Sequence, residues 1–328
     1  MNNKTFQEIF QSYFHSKYSF QYFQDLKLSI SDNFFEKKIN NHAFFSYKNE
    51  QKKYTIPSKT LYDFHIFLNS ILLQTLTVNK CVFSYKKNSS VYDMVYLHKD
   101  NRYYFKTDIK SFFNNIDINL IKTSLVDNSD NFPIGTKEHL SHIVDILSYE
   151  NQLPIGFVTS PTISNVILYK FDNEIEKYCE NKNIIYTRYS DDLIFSTKNR
   201  GEIETLQKKI EKTLKSYYSE RFQLNQSKTL YLDKTNRIQL LGLIITPDGH
   251  ITVDKNKKEN MKQLLYFYKN DKIKFTLFLE KKYNGRLSKA YGMLNYINDI
   301  DKSFIGYLRK KYGNFIIDKF LHGTKPNE

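Results

Sequence analysis

Cysteine is nearly absent from this chain: Cys81 and Cys179 are the only two. Two scattered thiols make neither a zinc site nor a disulfide framework, and they suit a reducing compartment. Glycine and proline are scarce, at 10 and 6, so no Pro/Gly-rich linker divides the chain. No internal repeat or low-complexity tract interrupts it. No apolar run reaches the ~18 residues that a membrane helix needs. The start, Met1-Asn2-Asn3-Lys4, leads into mixed polar and aromatic residues. That is unlike the apolar core of a secretory signal. The expectation is a cytoplasmic protein without a membrane partner.

Aromatic residues are plentiful, at 16% within a hydrophobic total of 40%. They supply a core for one large body with sub-domains, or for two modest domains. Lys and Arg number 49 against 35 Asp and Glu, a net charge of +14. That surplus favours a polyanionic partner. The richness in Lys, Asn, Ile, Tyr and Phe is also what AT-rich coding produces, with no partner implied.

Residues 58–73 read as a helix, with Leu61, Phe64, Leu68, Ile71 and Leu72 on one stripe. His65 beside it reads as a packed histidine. Residues 103–109 read as a strand. Ser160 and Pro161 predict a helix start, with Ser as N-cap. Its apolar face runs Ile163, Val166, Ile167, Phe171, Ile175 and Tyr178. Strands at 184–188 and 193–196 flank Tyr189-Ser190-Asp191-Asp192, which predicts a hairpin. Ile203, Leu206, Ile210, Leu214 and Tyr217 mark another helix. Residues 240–245 and 251–253 flank the turn Pro247-Asp248-Gly249. From Lys255 onward the pattern is helical, with breaks near Asn284-Gly285 and Gly313. The order predicts an α+β centre and an all-α C-terminal module.

Asp191 and Asp192 are adjacent carboxylates at a tight turn between apolar strands. Like charges at close range repel, and one tends to hold a proton. A divalent cation removes that cost, and carboxylate oxygens suit Mg²⁺. An ordinary solvated Asp-Asp turn is the competing reading. Asp108, at the end of the 103–109 strand, favours the metal. If that strand lies beside the hairpin, the carboxylates converge and two ions fit about 4 Å apart. Such a pair suits in-line phosphoryl transfer, where positioning and charge neutralisation do most of the catalysis.

Tyr189-Ser190-Asp191-Asp192 resembles the YxDD box of reverse transcriptases. Asp108-Ile109-Lys110-Ser111-Phe112-Phe113 resembles their first aspartate motif. Residues 153–161, Leu-Pro-Ile-Gly-Phe-Val-Thr-Ser-Pro, with Ser164-Asn165, resemble a segment of retron and group II intron enzymes. Gln223 to Thr229 resembles the following lysine motif, and Leu240-Leu241-Gly242-Leu243 the hairpin that grips the primer. These stand in family order between about residues 40 and 310. The resemblance implies a right-hand polymerase fold of class α+β. It implies an N-terminal region with fingers over 1–100, a palm over 101–245 with a fingers insertion at about 118–155, and a thumb over 246–328.

The resemblance also implies an RNA-directed DNA polymerase with two Mg²⁺ ions, Mn²⁺ being a substitute. Asp108, Asp191, Asp192 and the Ile109 carbonyl would be the ligands. Lys228 would protonate or stabilise the leaving pyrophosphate. Phe113, five residues after Asp108, lies where the family places an aromatic that excludes the 2′-hydroxyl; a plain core role beside Phe112 is the alternative. Ile109, Ile155, Gly156, Tyr189 and Lys53 fall at substrate-binding positions. Arg188 reads as a brace for a palm carboxylate or backbone.

Ile155 replaces the family's usual Gln and cannot donate its hydrogen bonds. The upstream stretch Ser90-Val91-Tyr92-Asp93 through His98 departs from the retron pattern, as does Leu240-Leu241-Gly242. A retron-like, defence-associated enzyme fits these residues. The resemblance then implies a dedicated noncoding RNA template, an RNA/DNA duplex, dNTPs and a partner protein in anti-phage defence.

The C-terminal module carries Lys255, Lys257, Lys258, Lys262, Lys269, Lys272 and Lys274, then Lys281, Lys282, Arg286 and Lys289. Interleaved Tyr266, Phe267 and Tyr268 could pack or stack, and the whole suits an A-form duplex. No further carboxylate cluster suggests RNase H, and no His/Asn/Cys set suggests an endonuclease. Three readings stay open: a templated polymerase, a template-independent nucleotidyl transferase on the same palm, and a catalytically silent RNA-binding scaffold.

Overall fold

In the computed structural model of this protein, which describes residues 5–17, 45–49 and 52–323, most elements follow the sequence periodicity. Helix α1 (Phe6–Lys17) buries Phe6, Phe10 and Phe14, which recur every four residues. Strands β1 (Phe45–Asn49) and β2 (Lys52–Ile56) form an antiparallel ribbon with Ser46 opposite Thr55. Helix α2 (Lys59–Ile71) is capped by the Ser58 hydroxyl, which accepts from the Leu61 N–H at 3.3 Å. It buries Leu61, Phe64, Phe67 and Leu68. His65 is buried on the same helix, bonded to the Ile146 carbonyl at 2.9 Å, with its ring against Phe157.

Helix α3 (Val91–His98) opens with a capping box between Ser90 and Asp93. Strand β3 (Tyr103–Asp108), helix α4 (Ile118–Asp127) and helix α5 (Leu140–Leu147) follow. Next come α6 (Ser160–Ile167), α7 (Tyr169–Asn181), β4 (Ile185–Tyr189) and β5 (Asp192–Thr197). The helix expected from Ser160 is therefore two, broken at Leu168. Its N-cap is Thr159, which makes no side-chain cap bond. Ser160 sits in the first turn instead and donates its hydroxyl to the Pro154 carbonyl at 2.6 Å.

Helices α8 (Arg200–Glu204) and α9 (Leu206–Tyr218) precede β6 (Leu230–Asp233). The four-stranded sheet has the order β4-β5-β3-β6. β5 and β3, at its centre, are buried along most of their length, while β6 at the edge is half exposed. The Ile109 N–H donates to the Asp191 carbonyl at 3.1 Å, and the Asn225 N–H to the Asp108 carbonyl at 2.8 Å. These bonds bring the end of β3 beside the β4–β5 turn.

Two compact units emerge from the fold. The first comprises Met1–Ser89, Phe105–Phe195 and Gly201–Leu230. The second comprises Ser90–Tyr104, Ser196–Arg200 and Tyr231–Glu328. The second unit contains an antiparallel sheet of β7 (Ile238–Leu240), β8 (Leu243–Ile245) and β9 (Ile251–Val253). The continuous strand expected over 240–245 is interrupted, because Leu241 and Gly242 both adopt positive φ (48° and 83°) and turn the chain. Helices α10 (Lys255–Asn270), α11 (Lys272–Tyr283), α12 (Leu287–Ile300), α13 (Lys302–Tyr312) and α14 (Asn314–His322) complete the unit.

Asn284, in a left-handed conformation, ends α11 as the sequence suggests. Asp271 and Asp301 supply additional breaks, each capping the next helix. The buried Asp301 carboxylate also accepts from Thr252 at 2.6 Å and from Ser303 at 2.6 Å, joining β9 to α13.

Candidate active site

Asp108 ends β3 and is buried; Asp191 and Asp192 lie half-buried at the β4–β5 turn. The turn is tight because Ser190 takes a left-handed φ of 58°. Lys228 donates to Oδ2 of Asp108 at 2.7 Å, although its side chain is 65% exposed. Burial raises the Asp192 carboxyl above the ordinary range. The negative charges of Asp191 and Asp108 add to that rise, while Lys106 and Lys228 oppose it. The Lys228 ammonium is raised by its bond to Asp108, with Asp191 and Asp192 contributing. Four groups from three separate stretches of the chain therefore share one electrostatic field.

Among the described residues no group of three or more His, Cys, Asp or Glu side chains is placed so as to hold a metal ion. The donor chemistry still fits a hard divalent cation. Oδ1 of Asp108 is buried with no hydrogen-bond partner, and a buried lone pair of that kind is costly unless a cation or proton meets it.

The turn is held from below by Arg188, which is fully buried beside the equally buried Asp172. Its Nε donates to Oδ1 of Asp172 at 2.9 Å and its Nη2 to Oδ2 at 2.6 Å. Nη2 also reaches the Asn165 carbonyl at 2.9 Å, and Nη1 the Ser190 carbonyl at 3.0 Å. Burial pushes the Asp172 carboxyl up against the pull of Arg188 and Tyr186, while the guanidinium stays charged. Arg188 thus braces both the buried Asp172 carboxylate and the backbone of the acidic turn.

Ser84 completes the support. Its hydroxyl accepts from the Ser190 N–H at 2.8 Å and donates to Oδ1 of Asn165 at 3.0 Å. Sequence reading did not single out Ser84 or Asp172. For Asp172 a signal existed: a lone acid among Phe171 and Ile175 on an apolar face. Ser84 carried none.

Phe112 is buried against Phe222, whereas Phe113 is half-buried in the turn after Asp108. The two rings therefore occupy different environments, and only Phe112 is plain core. The buried Ile109 follows Asp108 directly. The Ile155 carbonyl accepts from the Thr55 N–H at 2.8 Å. Gly156 has φ +120°, and a Cβ there would strike the Thr55 carbonyl. Residues 155–156 are thus fastened to β2. Tyr189 is half-buried, its ring centroid 6.3 Å from that of Tyr85. Lys53 lies in β2, and its side chain falls outside the described residues.

Two lysines of the basic run in the C-terminal helices are engaged within the fold. Lys258 pairs with buried Asp301, and Lys262 with Glu259. Tyr268 packs against Phe275 and Phe320, while Tyr266 is exposed. No helix among the described residues is long and apolar enough to cross a membrane.

Comparison with known proteins agrees with this geometry. The family model described as reverse transcriptase (RNA-dependent DNA polymerase) matches residues 65–245. The chain is 27% identical over 260 residues to the Retron Ec83 reverse transcriptase of Escherichia coli, covering 75% of this chain and 78% of that one. It is 26% identical over 266 residues to the Retron Ec73 reverse transcriptase of the same organism, covering 78% and 81%. Among solved structures it resembles the apo telomerase of Candida tropicalis, with a TM-score of 0.55 and 12% identity, covering 93% of this chain and 65% of that one. Telomerase of Candida albicans, solved with a fragment of telomeric RNA, gives 0.51 and 13%, over 85% and 57%. The architecture, mixed helices with antiparallel sheet, is that of a right-hand polymerase.

Proposed function

This chain belongs to the reverse transcriptase family and is an RNA-directed DNA polymerase, a nucleotidyltransferase; from that premise we propose that its reaction centre is the cluster of Asp108, Asp191, Asp192 and Lys228. The observation that carries this reading is the meeting of the end of β3 with the acidic turn, where the Ile109 N–H donates to the Asp191 carbonyl at 3.1 Å and Lys228 donates to Asp108 at 2.7 Å.

The three carboxylates and the Ile109 carbonyl would hold two Mg²⁺ ions, or Mn²⁺ in their place. When bound, the ions supply the positive charge that activates a primer 3′-hydroxyl and neutralises the triphosphate. The chain's own residues do the rest. Lys228, released from Asp108, presents a proton and a positive charge to the departing pyrophosphate. Phe113 sits under the incoming sugar and selects deoxynucleotides. Gly156 and Ile155, fastened to β2, shape the nucleotide site together with Tyr189 and Lys53. On this reading an N-terminal region with fingers spans 1–100, the palm 101–245 with a fingers insertion at about 118–155, and the thumb 246–328.

The retron likeness supports a dedicated noncoding RNA as template and a place in anti-phage defence beside a partner protein. The test is to incubate the protein with Mg²⁺, labelled dNTPs and the RNA that co-purifies with it, and to sequence the product. Product complementary to that RNA is expected. Product without complement would mean an untemplated transferase, and tight RNA binding with no product would mean a silent scaffold.

A further inference from the structure

We propose that the loop Tyr85–Asn88 is a contact for the primer strand beside the acidic turn, with Tyr85 stacking on a base or sugar and Lys86 and Lys87 meeting backbone phosphates. The inference rests on the polymerase reading above and deepens it.

Residues 81–84 are zipped to the strand leading into the turn. The Arg188 N–H donates to the Cys81 carbonyl at 2.8 Å, and the Phe83 N–H to the Arg188 carbonyl at 2.9 Å. Ser84 then bonds the Ser190 N–H through its hydroxyl. Its own carbonyl accepts from Nδ2 of Asn165 at 2.8 Å. Directly after this anchor the chain leaves the core. Tyr85 and Asn88 both take left-handed φ values, 55° and 57°. The Ser89 hydroxyl donates to the Phe83 carbonyl at 3.1 Å and closes the loop.

A left-handed tyrosine is unfavourable backbone, and burial does not repay it here, because Tyr85 is 52% exposed. Its ring lies beside Tyr189 of the acidic turn, tilted by 43° with the centroids 6.3 Å apart. Lys86 and Lys87 are exposed and have no acidic partner among the described residues. An outlier conformation that displays an aromatic ring next to two free ammonium groups, on a loop bolted to the catalytic turn, fits a strand of nucleic acid. Aromatic rings stack on bases without regard to sequence, and lysines meet phosphates.

The experiment uses the full chain and a fluorescent DNA primer annealed to an RNA template, with affinity measured across a salt series and extension measured in parallel. Replacing both Lys86→Ala and Lys87→Ala should weaken binding about tenfold at ~0.1 M salt and reduce the slope of log K against log salt by about 1 to 2. Tyr85→Ala should weaken binding about tenfold with the slope unchanged, and Tyr85→Phe should restore it. The KM for dNTP should stay put in every variant. If the wild type extends the primer and the variants bind with wild-type affinity and slope, the contact is wrong while the polymerase stands. A wild type that neither binds nor extends the duplex overturns both.

Discussion

The Lys228 ammonium donates to one oxygen of Asp108 at 2.7 Å while the other oxygen is buried without a partner. On the proposed reading the lysine would hold the place of a cation and compete with one for the same carboxylate. Lys228→Ala is therefore expected to lower the Mg²⁺ concentration needed for half-maximal extension. Loss of a proton donor should also cut the maximal rate about 100-fold. Single-turnover extension across a Mg²⁺ series measures both, and an unmoved Mg²⁺ midpoint would refute the competition.

Asp192 offers a pH test. Its carboxyl is raised by burial, with Asp191 and Asp108 adding to the rise. A carboxyl raised on folding contributes stability at low pH, below its unfolded value, and loses it as pH rises through the folded value. At neutral pH the ionised group thus costs the metal-free protein stability. Asp192→Asn should raise the metal-free Tm at pH 7 by about 2 °C, what on the order of 1 kcal/mol gives a chain of this size. The advantage should fade in acid, and the variant should not extend primers. Thermal melts across pH, with EDTA present, decide it.

Removing Asp172 strands a buried guanidinium. Asp172→Ala should cost about 3–5 kcal/mol by chemical denaturation. Pairing Asp172→Leu with Arg188→Met should recover much of that stability. Extension should stay slow in the double variant, because the Ser190 and Asn165 carbonyls still lack Arg188. Full activity in that variant would show that the brace does not position the turn.

Phe113 is half-buried where Phe112 is core. Phe113→Val should leave stability within about 1 kcal/mol of wild type and admit ribonucleotides. Comparing kcat/KM for rNTP and dNTP reads the outcome, and an unchanged ratio would remove the sugar gate.

Gly156→Ala should cost about 1–3 kcal/mol, because the new Cβ meets the Thr55 carbonyl in a backbone conformation suited to glycine. The KM for dNTP should rise as residues 155–156 part from β2. A wild-type denaturation midpoint would show that the strand yields freely.

Much of the site was legible before the fold. Asp108 ends a run of aromatic and β-branched residues, and Asp191 and Asp192 sit between two more, so their strand-end placement follows from local pattern. Arg188 was readable as a brace because a charge inside an apolar strand needs a partner. Its partner Asp172 left only a faint signal, and Ser84 left none: Ser84 and Ser190 are 106 positions apart, and a serine has no periodicity to betray its role. The break at Leu168 was hidden for a related reason. The apolar stripe from Ile163 to Tyr178 continues across it, so hydrophobic spacing alone predicts one helix. In the C-terminal helices lysine composition reports abundance and not direction: Lys258 is partly covered and turns to the buried Asp301.

Ser190 is buried, its hydroxyl oxygen has no partner, and its φ is 58°. The variable letter inside the acidic box is consequently governed by room and backbone, not by hydrogen bonding. Alanine should substitute freely there and glycine with less backbone strain, whereas a branched valine or isoleucine would be shut out twice, by crowding and by its own torsional preference.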